Sequence, residues 1–238
     1  MQSVDRAVGI LKLLAAHGEG LTLAAVAAET RLLPQTAQSL LRTLEVHELV
    51  VQGGRGRPYR LGPGLLTLAR KWMAGGAAVA AAAPVEELAA RIHEYVVLAE
   101  LKGRSVVPLV ERQVDQPLMT RPVVAGPDRV HVTATGKVLL AGLDEPLRGQ
   151  LVSQLSLARH GPRSITDRAR LLRHLDGVAG KGFAVCLEEA SPHVAAMAVP
   201  VRDAGGSVRA ALGIWLPLVR FSPPRRRQLL NELRRTAR

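Results

Sequence analysis

Thr22-Leu23-Ala24-Ala25-Val26-Ala27-Ala28-Glu29, a turn at Thr30–Leu33, and Pro34-Gln35-Thr36-Ala37-Gln38-Ser39-Leu40-Leu41-Arg42-Thr43-Leu44-Glu45-Val46 decide the fold of this chain. The first run is a short helix opened by a Thr cap, with Leu23, Val26 and Ala27 on one face. The second opens on proline and spaces Ala37, Leu40, Leu41 and Leu44 as an apolar stripe. Its other side carries Gln35, Gln38, Ser39 and Arg42, side chains that can read base edges in a major groove. Leu49–Gln52 and Pro58–Leu61 flank Gly53-Gly54-Arg55-Gly56-Arg57, a β-hairpin with a flexible basic tip. Two helices, a turn and such a hairpin make a winged helix-turn-helix. Gln35, Gln38, Ser39 and Arg42 are then expected to face the groove, and Thr36, Arg55, Arg57 and Arg60 to hold phosphates. Taken singly, each piece also fits a helical hairpin and turn that only pack or dimerise; their conjunction favours the DNA reader.

The chain has 238 residues, enough for one large or two modest domains. Aromatic residues make up only 3%, so its cores must be built from Leu, Val and Ala. The net charge of +12 favours an acidic partner, and its distribution is informative. Residues 1–72 carry nine Lys/Arg against five Asp/Glu, and residues 219–238 seven against one. The middle is nearly balanced, so the excess lies at the two ends. One cysteine, Cys186, excludes an internal disulfide and a cysteine-cluster metal site. Met1–Arg6 lacks a signal peptide's apolar core, and Trp72–Val85 is short for a membrane span. A cytoplasmic location is expected, with no membrane partner.

Upstream of the turn, Ser3 can cap a first helix with Val4, Ala7, Val8, Leu11 and Leu14 inward, ended by Gly18 and Gly20. Downstream, Leu65–Met73 reads as a connecting helix whose Leu65, Leu68, Ala69 and Trp72 could meet a second copy. Gly75-Gly76 and the alanines to Ala83 mark a boundary, with a continuous Ala helix as the alternative; Pro84 suits the first turn of the next helix. Strands are expected at Val96–Leu101, Ser105–Arg112, Leu118–Val124, Phe183–Leu187, Val194–Val201 and Val208–Leu216. Helices are expected at Thr133–Ala141, Glu145–Leu155 and Asp167–Ala179, with a basic one opened by Ser222-Pro223. Antiparallel strands with helices inserted between them predict an α+β domain.

These features closely resemble the IclR family of bacterial transcription regulators over essentially the whole chain. Ser3–Leu11 is similar to that family's first helix and Tyr59-Arg60-Leu61-Gly62 to the end of its wing. His131–Ala141 resembles its "HATALGKALLA" segment; Gly182–Val185, Glu188-Glu189 and Ala198–Asp203 resemble its "GYAV…EE…A.PV.D" segment. The resemblance implies three parts: a winged helix-turn-helix over 1–62, a linker helix over 63–83, and a GAF-like effector-binding domain over 84–238. It also implies dimers or tetramers.

Several positions depart from the family pattern. Arg31 and Glu48 stand where the family usually has Gly, and Ser39 where it has an Arg. In the effector pocket the resemblance places Cys186, Ala196 and Gly213 where an acidic residue, a Cys and a Ser are customary, and His193 where Gly is. Thr133, Ala134, Gly136, Cys186, His193, Val194, Ala196 and Gly213 are therefore the expected effector contacts. A pocket so depleted of polar groups, and widened at Gly213, should take a ligand more apolar than a small keto-acid. Its polar handle would be met by backbone N–H groups near Thr133–Gly136 and by His193.

Enzymatic readings are weaker. Gly136-Lys137 is not a phosphate loop, because His131 replaces its first Gly and Val138 its Ser or Thr. Gly53–Gly56 precedes a strand and so is no dinucleotide fingerprint. His131 and His193 read as loop residues and Cys186 as a buried structural thiol. Glu188 and Glu189, as strand neighbours, should point to opposite faces and fix a turn or meet an Arg. Arg225-Arg226-Arg227 with Arg234 and Arg235 reads equally as a phosphate-binding patch or a solvated helix. No cofactor, metal or catalytic residue is expected. The sequence points to a regulator, repression being the expected sign, that binds a pseudo-palindromic operator under small-molecule control. Two alternatives stay open: an effector-independent DNA-binding protein with a degenerate sensor, and a small-molecule enzyme with a basic surface.

Overall fold

The computed structural model describes residues 2–54, 57–73, 77–118 and 129–238. The chain divides into two compact units, Met1–Gly75 and Gly76–Arg238. Wing-tip residues Arg55 and Gly56, and most of the strand expected at Leu118–Val124, lie outside the described residues.

The first unit contains α1 (Gln2–Ala16), α2 (Leu23–Thr30), α3 (Pro34–Val46), β1 (Val50–Gln52), β2 (Tyr59–Leu61) and α4 (Gly64–Met73). Its core is small and aliphatic: Ile10, Leu14, Val26, Ala37, Leu41 and Val50, closed by Tyr59. The inward stripe of α1 runs through Ala7, Ile10, Leu11 and Leu14. At 100° per residue, Val4 and Val8 fall on its flank, and they are 70% and 41% exposed, against expectation. Thr22 caps α2 by accepting from Ala25 N–H. Arg31 ends α2 with φ +55°, its N–H bonded back to Ala28. β1 and β2 pair antiparallel with Val51 opposite Arg60, and Leu21 adds a bridge to Tyr59.

The second unit contains α5 (Ala77–Ile92), β3 (Tyr95–Lys102), β4 (Ser105–Arg112), α6 (Ala134–Ala141), α7 (Glu145–Ser153), α8 (Arg168–Lys181), β5 (Ala184–Leu187), β6 (Val194–Arg202), β7 (Val208–Pro217) and α9 (Pro223–Thr236). Pro84 lies inside α5 and does not open it, because alanine, the strongest helix former, keeps the preceding turns helical. The strands form one antiparallel sheet in the order β4-β3-β7-β6-β5. Alternation along them gives the sheet two unlike faces. Val96, Leu98, Met197, Leu212 and Ile214 pack with α5 and α9. Ala99, Ala184, Ala196, Ala198, Ala211 and Gly213 lie on the other, where α6 and α8 pack. These small side chains let α6 approach the sheet closely.

Candidate nucleic-acid interface and sensor pocket

In the first unit, Ala37, Leu41 and Leu44 bury one side of α3. Gln35, Gln38, Ser39 and Arg42 are exposed on the other, and Thr36 is half-buried. The amphipathic period thus turns the polar residues to solvent and uses the apolar ones as the dock. Arg57 is exposed, and its carbonyl accepts from Gln52 Nε2 at 2.9 Å, closing the hairpin. Arg60 is otherwise engaged: its Nε donates to the Glu19 carbonyl at 2.9 Å and its guanidinium meets the Glu19 carboxylate at 3.3 Å. A phosphate contact from Arg60 would compete with these bonds. Glu48, like Arg31, adopts positive φ, +57°. The left-handed turns for which the family customarily has glycine are kept here with side chains.

In the second unit the expected effector positions separate into two groups. Thr133, Ala134, Gly136, Cys186, Ala196 and Gly213 come together between α6 and the sheet, all buried. Val194 is half-buried beside them on β6. His193 does not join them: its side chain is 90% exposed, 3.8 Å from Glu188, with backbone φ +60°. A left-handed residue between the Glu188 turn and β6 turns its side chain outward, so His193 supplies no donor to the interior. The space opened at Gly213 is also taken. A Cβ there would stand 2.5 Å from Thr135 Cγ2, so the missing side chain accommodates α6 and does not widen a cavity. Gly136 is required for a related reason, since its Cβ would lie 2.1 Å from the Val130 carbonyl oxygen. The Gly136 N–H is spent on Thr133 Oγ1 at 3.2 Å, leaving Ala134 and Thr135 as the first-turn N–H groups without an intrahelical acceptor.

The sequence reading missed the most consequential residue. Lys137 is fully buried, and its Nζ donates to both oxygens of Glu189 at 2.6 Å. Glu189 lies past the end of β5 and not in it, which is why it points inward while Glu188 accepts from His193 N–H. His174 Nε2 on α8 lies 3.3 Å from the same Nζ. Burial pushes the Glu189 carboxyl above the usual range, with Lys137 pulling against it. The Cys186 thiol is raised to about 12 by burial, which leaves it protonated and inert. His174 is lowered to about 4, by burial first and then by Lys137, Lys181 and Arg170. A lysine amid the otherwise uncharged, buried residues 134–141 was the available signal. At the β3–β7 end of the same face, Trp215 stands between Ala196 on one side and Tyr95 on the other, so one large ring adjoins the small position 196 and a second lies one strand beyond it. His131, expected in a loop, is fully buried in a short 3-10 turn, with Nε2 3.1 Å from the Ala158 carbonyl.

Among the described residues no cluster of three metal-ligating side chains occurs, and no helix is long and apolar enough to cross a membrane. Residues 77–238 match the bacterial transcriptional regulator IclR C-terminal family, and residues 3–54 the IclR helix-turn-helix domain. The probable transcriptional regulator SauR of Cupriavidus necator is 30% identical over 98% of this chain and 92% of its own length. The glycerol operon regulatory protein of Streptomyces griseus is 31% identical over 94% of this chain and 87% of its own. The crystal structure of an IclR transcriptional regulator from Alicyclobacillus acidocaldarius superposes with a TM-score of 0.82 at 28% identity, covering 100% of this chain and 96% of that one. An IclR homologue from Microbacterium hydrocarbonoxydans, solved with 4-hydroxybenzoate, gives 0.80 at 26% identity, covering 99% and 95%. The family's members are transcription regulators and not enzymes, and the chain belongs to it: a two-domain α+β regulator of IclR type, with a DNA-binding helix-turn-helix unit and an effector-binding unit.

Proposed function

We propose that the protein is a repressor that grips a pseudo-palindromic operator as a dimer, or as a dimer of dimers, and releases it on binding an effector. The observation that carries this reading is the exposed row Gln35, Gln38, Ser39 and Arg42 on a helix whose opposite face is buried. Exposed Val4 and Val8 on α1 and Leu66 and Leu68 on α4 supply the apolar surface that a second copy would cover. Half-sites about one helical turn apart require such a two-fold pair. The test is fluorescence anisotropy over a genomic fragment library. A specific duplex should emerge whose log affinity falls by about 0.9 per log unit of salt for each phosphate contact. Finding no sequence preference, or a strict monomer by light scattering with and without DNA, overturns the reading.

The effector in this reading is an aromatic or similarly apolar acid. Support comes from Trp215 beside Ala196 with Tyr95 next to it, from Lys137 as the one buried cation at this face among the described residues, and from the neighbour that holds 4-hydroxybenzoate. Its carboxylate would take the N–H groups at the start of α6, or displace Glu189 from Lys137. A second reading, an effector-independent regulator, is favoured by one observation: Thr135 and the Lys137–Glu189 pair fill the space between α6 and the sheet. A thermal-shift screen separates them. Stabilisation by aromatic acids supports the first, silence across the whole screen the second, and a response to small keto-acids alone refutes the proposed ligand class.

A further inference from the structure

Several surface arginines of the second unit are neutralised by acidic side chains. Arg91, Arg112, Arg148, Arg209 and Arg220 are each paired with a carboxylate, Glu232, Glu86, Asp176, Asp203 and Glu94 respectively. Between α8, the edge strand β5 and α9, cations without such partners converge on one concavity. A cleft of about 340 Å³ there is lined by Arg173, His174, Lys181, Phe183, Val185 and Arg226, with no acidic side chain among its lining residues. Arg173, Lys181 and Arg226 are exposed and have no ion-pair partner among the described residues. Two guanidiniums are already oriented on the Phe183 ring, Arg226 at 5.8 Å and Arg234 at 5.6 Å from its centroid. Arg234 is fixed further by donating to the Lys181 carbonyl at 3.3 Å.

We propose that this cleft binds the phosphate group of a small phosphorylated metabolite, at a ligand site distinct from the sensor pocket. Cations on two helices flanking one concavity outnumber what a monocarboxylate can use. They suit a dianion with three acceptor oxygens. Guanidiniums held on an aromatic face lose less freedom when they close on such a ligand. The half-buried Phe183 and Val185 give a carbon skeleton something to lie on, and the volume suits a sugar phosphate. A metabolite, and not the backbone of DNA, is the occupant that a walled cleft of this size fits.

The cleft also has a route inward. His174 lines it and, through its Nε2, touches Lys137 in the core of the domain. The charged groups around this ring are all cationic apart from Glu189 behind Lys137: Lys137, Lys181 and Arg170, with Arg173 and Arg226 in the same cleft. A dianion among them would reverse the sign of the local field and let His174 hold a proton at higher pH. It could then no longer accept from Lys137, so occupancy of the surface cleft would be felt at the buried ion pair.

Isothermal titration of the full chain with ribose 5-phosphate, with ribose as control, tests the site. The phosphate ester should bind with a dissociation constant at or below about 1 mM and ribose should not. The double variant Lys181→Gln, Arg226→Gln should weaken binding at least about tenfold while shifting the melting curve little, since both side chains are exposed and neither is in an ion pair among the described residues. The His174 ring, followed by NMR, should titrate at higher pH in the complex than in the free protein. Three results overturn the proposal: no heat with millimolar ribose 5-phosphate, equal binding by the double variant, or a double variant that loses affinity only for duplex DNA. The last would make the cleft a DNA contact. None of these outcomes depends on whether α3 reads an operator.

Discussion

Replacing Lys137 by Met leaves a carboxylate stranded in the interior, and the size of that penalty can be worked from the structure. The lysine side chain is fully buried and that of Glu189 is 8% exposed, with both oxygens 2.6 Å from Nζ. Removing one partner of such a pair costs about 3–5 kcal/mol. The penalty has a ceiling, because Glu189 can take up a proton. Burial already raises its pKa, and without Lys137 the opposing pull is gone. A folded-state pKa above the unfolded value means that the native state holds the proton longer. Stability of Lys137→Met should therefore be close to the parent's near about pH 5, and fall by about 1.4 kcal/mol per pH unit above it until the ceiling is reached. Urea unfolding at about pH 5 and about pH 8 measures this directly. The double variant Lys137→Met, Glu189→Leu removes both charges and should recover to within about 1 kcal/mol of the parent at either pH. A single variant that loses less than about 1 kcal/mol at the higher pH, or a double variant no more stable than the single, would refute the account of a tightly coupled buried pair.

His174, held at about 4 by burial and by Lys137, Lys181 and Arg170, is protonated first in the unfolded chain. Stability should thus decline as pH falls from about 6.5 towards 4, by about 1 kcal/mol once the half-exposure of the ring is discounted, and His174→Leu should abolish that slope. Arg31, Glu48 and His193 sit at φ +55°, +57° and +60°, so glycine at each should raise stability by up to about 1 kcal/mol in thermal or denaturant melts. Gly136→Ala should do the opposite, losing about 3 kcal/mol or the fold itself, since nothing soft can yield to a Cβ 2.1 Å from a carbonyl oxygen. Arg42→Ala should weaken specific duplex binding by about 1–3 kcal/mol while leaving the melting curve unchanged, as its side chain lies on the exposed face of α3.

The parts of the fold that could be read in advance were those governed by local periodicity. The stripe Ala37, Leu41 and Leu44 fixed α3, and alternation placed β6 and β7 almost to the residue. The errors have a common origin in contacts between distant segments. Small residues at 196 and 213 suggest a void only if nothing descends on them, and the Thr135 methyl that descends comes from a helix some eighty residues away in sequence from Gly213. Lys137 and Glu189 are 52 positions apart, so neither announces the other. The resemblance sets His193 in the effector pocket at a customary glycine position, whereas its left-handed backbone conformation turns the side chain out. Pro84 misled because a punctuation rule for isolated helices gives way where seven preceding residues are nearly all alanine.

The two borders of the large sheet also constrain how copies of the protein can associate. One border is β4, where Pro108 brings no N–H and the register with β3 shifts between Leu98 and Ala99. The other is β5, only four residues long. A neighbouring chain seeking to continue the sheet would find an interrupted ladder on one side and too few rungs on the other. Fibril-like stacking is thereby discouraged in a protein whose strands are rich in valine and alanine. Assembly is left to helix surfaces, where geometry can shift by small rotations without unzipping a row of hydrogen bonds.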